Sequence, residues 1–203
     1  MSGIQRIKVT QIKGSNGSGK TTIVKQLLDA SQDCEVVTLG VNPVTVMHDL
    51  GWVAIGEYPE GKRMGGTDNY SGMDVGVVQR TKDALSAVIK EYPDSWVVFE
   101  GMVLSTIKST FYEYLKDLHI AYGIEPVFVI LETTVDGCLE RIQHRRGPKP
   151  NGAYAVIREG TRRNVGAKCE MILRTCGPTQ AFSVIACLIC HILSHVKLGP
   201  TSS

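Results

Sequence analysis

Residues 7–30 read IKVTQIKGSNGSGKTTIVKQLLDA, and this stretch decides the fold. Apolar and polar side chains alternate from Ile7 to Ile12, which predicts a strand. Residues Lys20–Ala30 carry apolar side chains at helical spacing, which predicts a helix. The glycine-rich segment between them, Gly14–Thr21, is therefore expected to join a strand to the start of a helix.

The joining segment matches the pattern G-x-x-x-x-G-K-[ST] of a phosphate-binding P-loop. Glycines let the backbone wrap a phosphate with its N–H groups pointing inward. Lys20 is expected to neutralise the β- and γ-phosphates, and Thr21 to offer its hydroxyl to Mg²⁺. The predicted cofactors are ATP and Mg²⁺, and the predicted nucleotide-binding residues are Gly14, Ser15, Asn16, Gly17, Ser18, Gly19, Lys20, Thr21 and Thr22.

Strand and helix patterns alternate along the rest of the chain. The predicted strands after the first are Glu35–Leu39, Trp52–Ile55, Trp96–Phe99 and Pro126–Leu131, with Ala181–Ala186 as a candidate last strand. The predicted helices after the first are Asp74–Tyr92, Ser109–Tyr122, Val135–Arg146, Ala153–Arg174 and Cys187–Val196. This order predicts an α/β fold with a doubly wound, mainly parallel five-stranded sheet and helices on both faces. Tyr58–Gly72, rich in glycine and polar residues, is interpreted as a functional loop.

Composition and length indicate one globular domain over residues 1–203, with 43% hydrophobic and 21% charged residues. No secretory signal or membrane-spanning run is visible, so a cytoplasmic protein without a membrane partner is expected. Six scattered cysteines suggest no structural disulfide. Cys187, Cys190, His191 and His195 spell C-x-x-C-H with a further histidine, which is attributed to an apolar closing helix more readily than to a zinc site.

One acidic residue, Glu100, ends the predicted strand Trp96–Phe99 on the edge of the sheet that carries the loop. It could orient Mg²⁺ or accept a proton from an acceptor hydroxyl, or it could cap the next helix. The chain contains neither N-K-x-D nor D-x-x-G, which argues against a GTPase switch. A motor ATPase would usually offer an Asp-Glu pair here, and only one acid is present.

Basic charge is concentrated in residues 141–174, which hold nine Lys/Arg against two acids, giving +7. The net charge is +2, so the remainder of the chain carries 2 − 7 = −5. Arg141 and Arg145 lie four residues apart and share a helical face, with Arg146 beside them. These three arginines are candidates for a small arginine-rich lid over about 141–165 that stabilises transferring phosphate, or alternatively for surface ion pairs.

The chain resembles thymidylate-kinase-type nucleotide kinases in its P-loop, its strand-end acid and the run Val129–Thr133 leading into Cys138–Ile142. It is more similar to bacteriophage P-loop kinases that include 5-hydroxymethyluracil DNA kinases. Three segments carry this likeness: Ile55–Tyr58, Gly65–Asp68 and Val98–Ser105. Thr67 departs from that family pattern, which has Cys at this position.

The resemblance implies an ATP-dependent kinase that phosphorylates the hydroxymethyl group of 5-hydroxymethyluracil in phage DNA, in the cytoplasm of the infected host. Glu100-Gly101 replaces the Asp-Arg pair that grips an acceptor phosphate in thymidylate kinases, which favours an alcohol acceptor. Glu100 and Asp68 are alternative bases. A deoxynucleoside monophosphate kinase acting on a free nucleotide, and a nucleotide-binding protein without turnover, are the alternative functions.

Overall fold

The computed structural model describes residues 7–59, 65–70, 76–106, 109–131, 133–148, 154 and 156–176. These residues form an α/β structure. Its strands are β1 (Lys8–Lys13), β2 (Cys34–Leu39), β3 (Asn42–Met47), β4 (Trp52–Ile55), β5 (Trp96–Glu100) and β6 (Glu125–Ile130). Its α-helices are α1 (Lys20–Ala30), α2 (Val77–Glu91), α3 (Met102–Thr106), α4 (Ser109–Tyr122), α5 (Val135–Arg146) and α6 (Glu159–Cys176), and Thr67–Tyr70 forms a 3-10 turn.

The strands form one mixed sheet in the order β2-β3-β4-β5-β1-β6. Three neighbouring pairs are parallel: β4 with β5, β5 with β1, and β1 with β6. The pairs β2 with β3 and β3 with β4 are antiparallel. The predicted mainly parallel, five-stranded sheet is therefore wrong in strand number and in the direction of one half.

The difference comes from β3, because Pro43 indicates a loop between the predicted strands Glu35–Leu39 and Trp52–Ile55, whereas the structure has a strand there. Proline is tolerated near the start of a strand, where the missing N–H costs little. Gly40, with φ +65°, reverses the chain immediately before β3 and makes β2 and β3 a hairpin. The hairpin adds an antiparallel edge to a parallel sheet. The sequence does not predict this edge, because side-chain periodicity is independent of strand direction.

Apolar helices cover both faces of the sheet, as the sequence predicts. On one face, Leu85 of α2 and Leu115 of α4 pack with Phe99 of β5. On the other, Val24 of α1 packs with Ile12 and Val98. Alternate residues of β1 and β5 enter different clusters, so the centre of the sheet is buried from both sides. Packing on both faces holds these strands in place, and it therefore also fixes the positions of the groups at their carboxyl ends.

Helix α6 begins at Glu159, five residues after Tyr154, although the sequence predicts a helix from Ala153. Tyr154 instead pairs with Pro148 in an isolated antiparallel bridge, which holds it extended. The candidate strand Ala181–Ala186 and the helix Cys187–Val196, with its C-x-x-C-H string, lie outside the described residues. Within the part of the chain that the structure describes, no helix has both the length and the apolar character that a membrane span requires.

Candidate active site

The segment Gly14–Thr21, which we call the glycine loop, leaves the carboxyl end of β1 and enters α1. Gly17 and Gly19 adopt φ values of +82° and +102°, which favour glycine. A Cβ on Gly17 would also collide with the backbone carbonyl of Cys138 on α5. The loop therefore needs glycine both for its own conformation and for its packing against a neighbouring helix.

Lys20 lies inside the curve of the glycine loop. Its Nζ donates to the carbonyl oxygens of Gly14 at 2.9 Å and Ser15 at 3.0 Å. The side chain is buried, and desolvation lowers the pKa of Lys20, while the carboxylates of Glu100 and Asp68 oppose that effect. A single buried cation is thus placed at the centre of the loop, in the field of two acids.

Glu100 ends β5 beside the glycine loop, and Oε1 of its carboxyl group accepts a hydrogen bond from Thr21 Oγ1 at 2.7 Å. Its side chain is almost fully buried, and burial raises the pKa of Glu100 to about 7. The Lys20 charge and the Thr21 hydrogen bond both act to lower that pKa, and they only partly offset the desolvation. Glu100 can therefore gain or lose a proton near neutral pH.

The segment Gly65–Tyr70 wraps around the Glu100 carboxyl group. Gly66, with φ +87°, lies so close that an added Cβ would be 2.7 Å from the Glu100 carboxyl carbon. The Thr67 hydroxyl donates to the backbone oxygen of Glu100 at 3.0 Å, and Gly66 pairs with Glu57 in an antiparallel bridge. The hydroxyl at position 67 thus has a hydrogen-bonding role of its own in this chain.

Asp68, in the same segment, accepts two backbone hydrogen bonds, from Met102 N at 2.6 Å and Val103 N at 3.2 Å. These N–H groups belong to the first turn of α3, where a helix takes its hydrogen-bond acceptors from outside its own ladder. The Asp68 carboxylate therefore fixes the start of α3, directly after Glu100-Gly101. Both of its oxygens are engaged in this contact.

Arg80 on α2 anchors the far end of the Gly65–Tyr70 segment, and the sequence patterns did not single it out. The residue is 3% exposed, and its guanidinium group donates to Tyr70 O at 2.9 Å, Val41 O at 2.7 Å and Asn42 Oδ1 at 3.0 Å. It also lies over the Tyr70 ring, 4.5 Å from the ring centroid. Arg80 ties this segment to the β2–β3 turn, and only the three-dimensional structure brings these residues together.

Ser15 links the glycine loop to two helices through a contact that the sequence analysis also missed. Its hydroxyl lies 3.1 Å from Cys138 Sγ on α5 and accepts from Cys169 Sγ on α6 at 3.2 Å. Both cysteines are free thiols, and burial raises the pKa of Cys138. The loop is therefore supported from behind by α5 and α6 as well as by the sheet.

A cleft of about 1050 Å³ opens in front of the glycine loop. Arg141 reaches across from α5 and donates to the carbonyl oxygens of Gly17 and Ser18, each at 3.2 Å. The charged residues that line the cleft are the cations Lys20, Arg141, Arg145, Arg146, Arg158 and Lys168 and the acids Asp68 and Glu100. Six cations against two acids give the lining a formal charge of +4, which suits a polyanionic ligand.

The structure brings together all six predicted catalytic residues, since each of them lines this cleft. Of the predicted nucleotide-binding residues, Asn16, Gly17, Gly19, Lys20, Thr21 and Thr22 line it as well. Gly14, Ser15 and Ser18 are buried and do not line it. Five cations of the predicted basic segment 141–174 face the cleft, whereas Arg162 pairs with Asp136 at 2.6 Å. Arg158 and Lys168 were not singled out by motif, although the charge count of their segment pointed to them.

The functional loop predicted at Tyr58–Gly72 falls partly outside the described residues, since 60–64 and 71–72 are not among them. Its described parts are 58–59 and 65–70, and the second of these lies in the site. The C-x-x-C-H residues, considered above for a zinc site, lie beyond the described chain. Among the residues that the structure covers, no group of three or more His, Cys, Asp and Glu side chains is arranged to hold a metal ion.

Comparison with known proteins gives a consistent result. The model of a family described as "5-hmdU DNA kinase" matches residues 4–166. A 5-hmdU DNA kinase of Pseudomonas phage M6 is 34% identical over 150 residues, which cover 71% of this chain and 75% of the relative. A 5-hmdU DNA kinase of Bacillus phage SP10 is 29% identical over 82% of this chain but only 25% of its own length. 5-hmdU DNA kinase 1 of Salmonella phage ViI is 30% identical over 67% of this chain and 58% of its own.

Proposed function

This chain belongs to the 5-hmdU DNA kinase family, and we propose that it transfers the γ-phosphoryl group of ATP to the hydroxymethyl oxygen of 5-hydroxymethyluracil in DNA. The observation that carries this proposal is the arrangement of Lys20, Thr21 and Glu100 at the floor of a cationic cleft. The glycine loop supplies a phosphate cradle, and the adjoining acid supplies a group that can take a proton. Both are needed to phosphorylate an alcohol.

The residues around Thr21 fit Mg²⁺. Hydroxyl and carboxylate oxygens are the ligands that this ion prefers, and Thr21 Oγ1 and Glu100 Oε1 lie 2.7 Å apart. A cation here would also compensate the buried carboxylate, whose pKa is raised to about 7 because it is poorly solvated. Mg²⁺ held by these residues would supply positive charge to the β- and γ-phosphates. Lys20 and the loop N–H groups hold the same phosphates in place.

We assign the role of general base to Glu100 in preference to Asp68. Burial raises the pKa of Glu100 to about 7 in the metal-free protein, and a metal ion beside Oε1 would lower it, so that the carboxylate is ionised and able to accept a proton. Asp68 already accepts two hydrogen bonds from the first turn of α3. Oε1 of Glu100 faces Thr21 and the metal side, and we assign Oε2 to the acceptor hydroxyl. Asp68 then serves to position α3 next to the acceptor.

The arginines of α5 take two different roles in this proposal. Arg141 donates to two carbonyl oxygens of the glycine loop, so it stabilises the loop's shape. Arg145 and Arg146 line the cleft one turn further along and would contact the transferring phosphate. We propose that they form, with residues up to about 165, the small lid expected of such a kinase. The whole chain, 1–203, would act as one kinase domain.

A kinase for a free deoxynucleoside monophosphate is the second candidate, because a cleft of about 1050 Å³ also admits a mononucleotide. A monophosphate acceptor brings charge that needs its own cation next to the acceptor site. Gly101, and not an arginine, follows Glu100 at the end of β5. The missing cation favours an uncharged acceptor group, such as the hydroxymethyl of a base.

The test is transfer of labelled phosphate from [γ-³²P]ATP to matched acceptors. These are DNA containing 5-hydroxymethyluracil, the same DNA with thymine, and free thymidylate and hydroxymethyl-deoxyuridine monophosphate. We expect label only on the modified DNA. Glu100→Gln should lower the transfer rate by about 100-fold or more with ATP binding retained, whereas the exposed control Glu91→Gln should behave as wild type. Label on free nucleotides and none on DNA would reject the proposed substrate.

A further inference from the structure

The groups proposed to act in phosphoryl transfer, Glu100 on the acceptor and Lys20 on the phosphates of ATP, lie at the bottom of the cleft. Glu100 is 2% exposed and Lys20 is 7% exposed. The glycine loop, the Gly65–Tyr70 segment and helices α5 and α6 rise around them. An acceptor hydroxyl must therefore enter the protein to reach Glu100, because Glu100 sits at a strand end that is packed on both faces and is not free to move out.

The acceptor group in duplex DNA is recessed as well. A substituent at C5 of a paired uracil projects into the major groove, which is about 12 Å wide and about 8.5 Å deep. When the catalytic group is recessed in the protein and its target is recessed in the DNA groove, the rims of the two surfaces meet first and the reacting groups stay apart. Either the catalytic groups must leave the protein or the base must leave the helix, and the burial of Glu100 rules out the first.

We propose that this enzyme phosphorylates a nucleotide that has been extruded from the DNA stack into the cleft. The inference rests on the proposed function, because it concerns how a base in DNA reaches the same site. A cleft of about 1050 Å³ is far too small for a duplex but accommodates single nucleotides. The substrate is thus an unstacked 5-hydroxymethyl-deoxyuridine joined to DNA on both sides.

The charge of the cleft is consistent with a DNA strand passing beside the nucleotide. The lining carries a formal charge of +4 from six cations and two acids. ATP with its bound Mg²⁺ brings only about two net negative charges to the cleft. The remaining positive charge matches the phosphates that flank an extruded nucleotide. Among the described residues that line the cleft, Arg158 and Lys168 are the cations outside α5 and the glycine loop, and we assign this contact to them.

The test compares four substrates of one sequence that differ only in the pairing of the modified base. It is paired with adenine, opposed to cytosine, opposed to an abasic site, or placed in a single strand. The value of kcat/KM for phosphorylation is measured for each at one salt concentration, since salt alone changes DNA affinity. This parameter compares free DNA with the transition state, so a cost of unpairing cannot be hidden by a slow later step.

We expect kcat/KM to rise by about 10- to 100-fold from the adenine pair to the cytosine mismatch and the abasic site, because less energy is needed for unstacking. A 2-aminopurine placed next to the modified base should brighten when the protein and a non-hydrolysable ATP analogue are added, because it loses its stacking partner. The Arg158→Gln/Lys168→Gln double variant should raise KM for DNA by about tenfold with the KM for ATP unchanged.

Equal kcat/KM for all duplexes, with no change in 2-aminopurine emission, would overturn the extrusion proposal and leave the kinase activity on DNA intact. Label on free hydroxymethyl-deoxyuridine monophosphate with none on any of the four DNAs would instead reject the proposed function itself. The two failures therefore give different patterns in one assay. A higher rate on the paired duplex than on the abasic and mismatched ones would also contradict extrusion.

Discussion

Gly66→Ala tests whether the Gly65–Tyr70 segment positions the catalytic carboxyl group. The added Cβ would stand 2.7 Å from the Glu100 carboxyl carbon, whereas ordinary contact begins at 3.4 Å, so the two must separate by about 0.7 Å. Displacements of about 1 Å at a catalytic group can lower a rate by about 100-fold. Alanine at φ +87° also costs about 1–2 kcal/mol, and the overpacking a further 1–3 kcal/mol.

The matched control is Gly40→Ala in the β2–β3 turn. Gly40 also has a positive φ, +65°, but an added Cβ there meets no heavy atom within 4 Å. It should lose only the conformational term, about 1–2 kcal/mol of unfolding free energy, and keep its activity. Urea unfolding and phosphate transfer are measured for both variants under conditions where each is folded. If Gly66→Ala keeps a transfer rate within threefold of wild type, the assigned positioning of Glu100 by Gly66 is wrong.

Two further predictions concern stability. The pKa of Glu100 is about 7 in the folded protein and 4.5 in an exposed chain. Between these pH values the folded state binds a proton that the unfolded state has lost. The unfolding free energy therefore falls as the pH rises from 4.5 to 7. We therefore expect Glu100→Gln to be more stable than wild type at pH 8 by at most about 3 kcal/mol, when both are measured in EDTA without nucleotide. Near pH 4.5 this difference in unfolding free energy should disappear. If urea unfolding gives the same gain at both pH values, burial of the Glu100 carboxylate is not the cause. Arg80→Met should lower the unfolding free energy by about 3–5 kcal/mol, because two buried oxygens and one partly buried oxygen lose their donor. The exposed control Lys90→Met should lower it far less. Similar midpoints for the two variants in thermal unfolding would show that Arg80 does not anchor the segment.

The sequence predicts most of the fold around β1 and α1, because these elements obey simple periodicity. Helices Ser109–Tyr122 and Val135–Arg146 and strand Trp52–Ile55 have the predicted bounds. Strand β3 is not predicted, because its proline indicates a loop. Strand direction is not predicted, because side chains alternate in the same way in parallel and antiparallel pairs. Side-chain periodicity shows which face of each helix or strand is buried, but it does not show how the elements are arranged relative to one another.

The candidate site was predictable as far as it follows from local motifs. The glycine loop, Glu100 and the basic segment each carry a signal in the sequence, and the parallel arrangement of β1 and β5 places Glu100 next to the loop. The role of Asp68 in capping α3 and the contact of Arg80 with Tyr70 join residues far apart in the chain. No spacing rule connects such pairs, since their proximity is produced by the whole fold.

The Gly65–Asp68 segment shows how a recognised motif acquires a physical meaning only in the folded chain. Gly66 leaves room for the Glu100 carboxyl group, Thr67 holds the Glu100 backbone, and Asp68 fixes the helix that follows. These three residues each contact β5 or the helix that follows it, although they lie about 30 residues earlier in the chain. A cysteine at position 67 would donate more weakly to the Glu100 carbonyl. The threonine of this chain therefore holds the strand end, and with it the proposed base, more firmly.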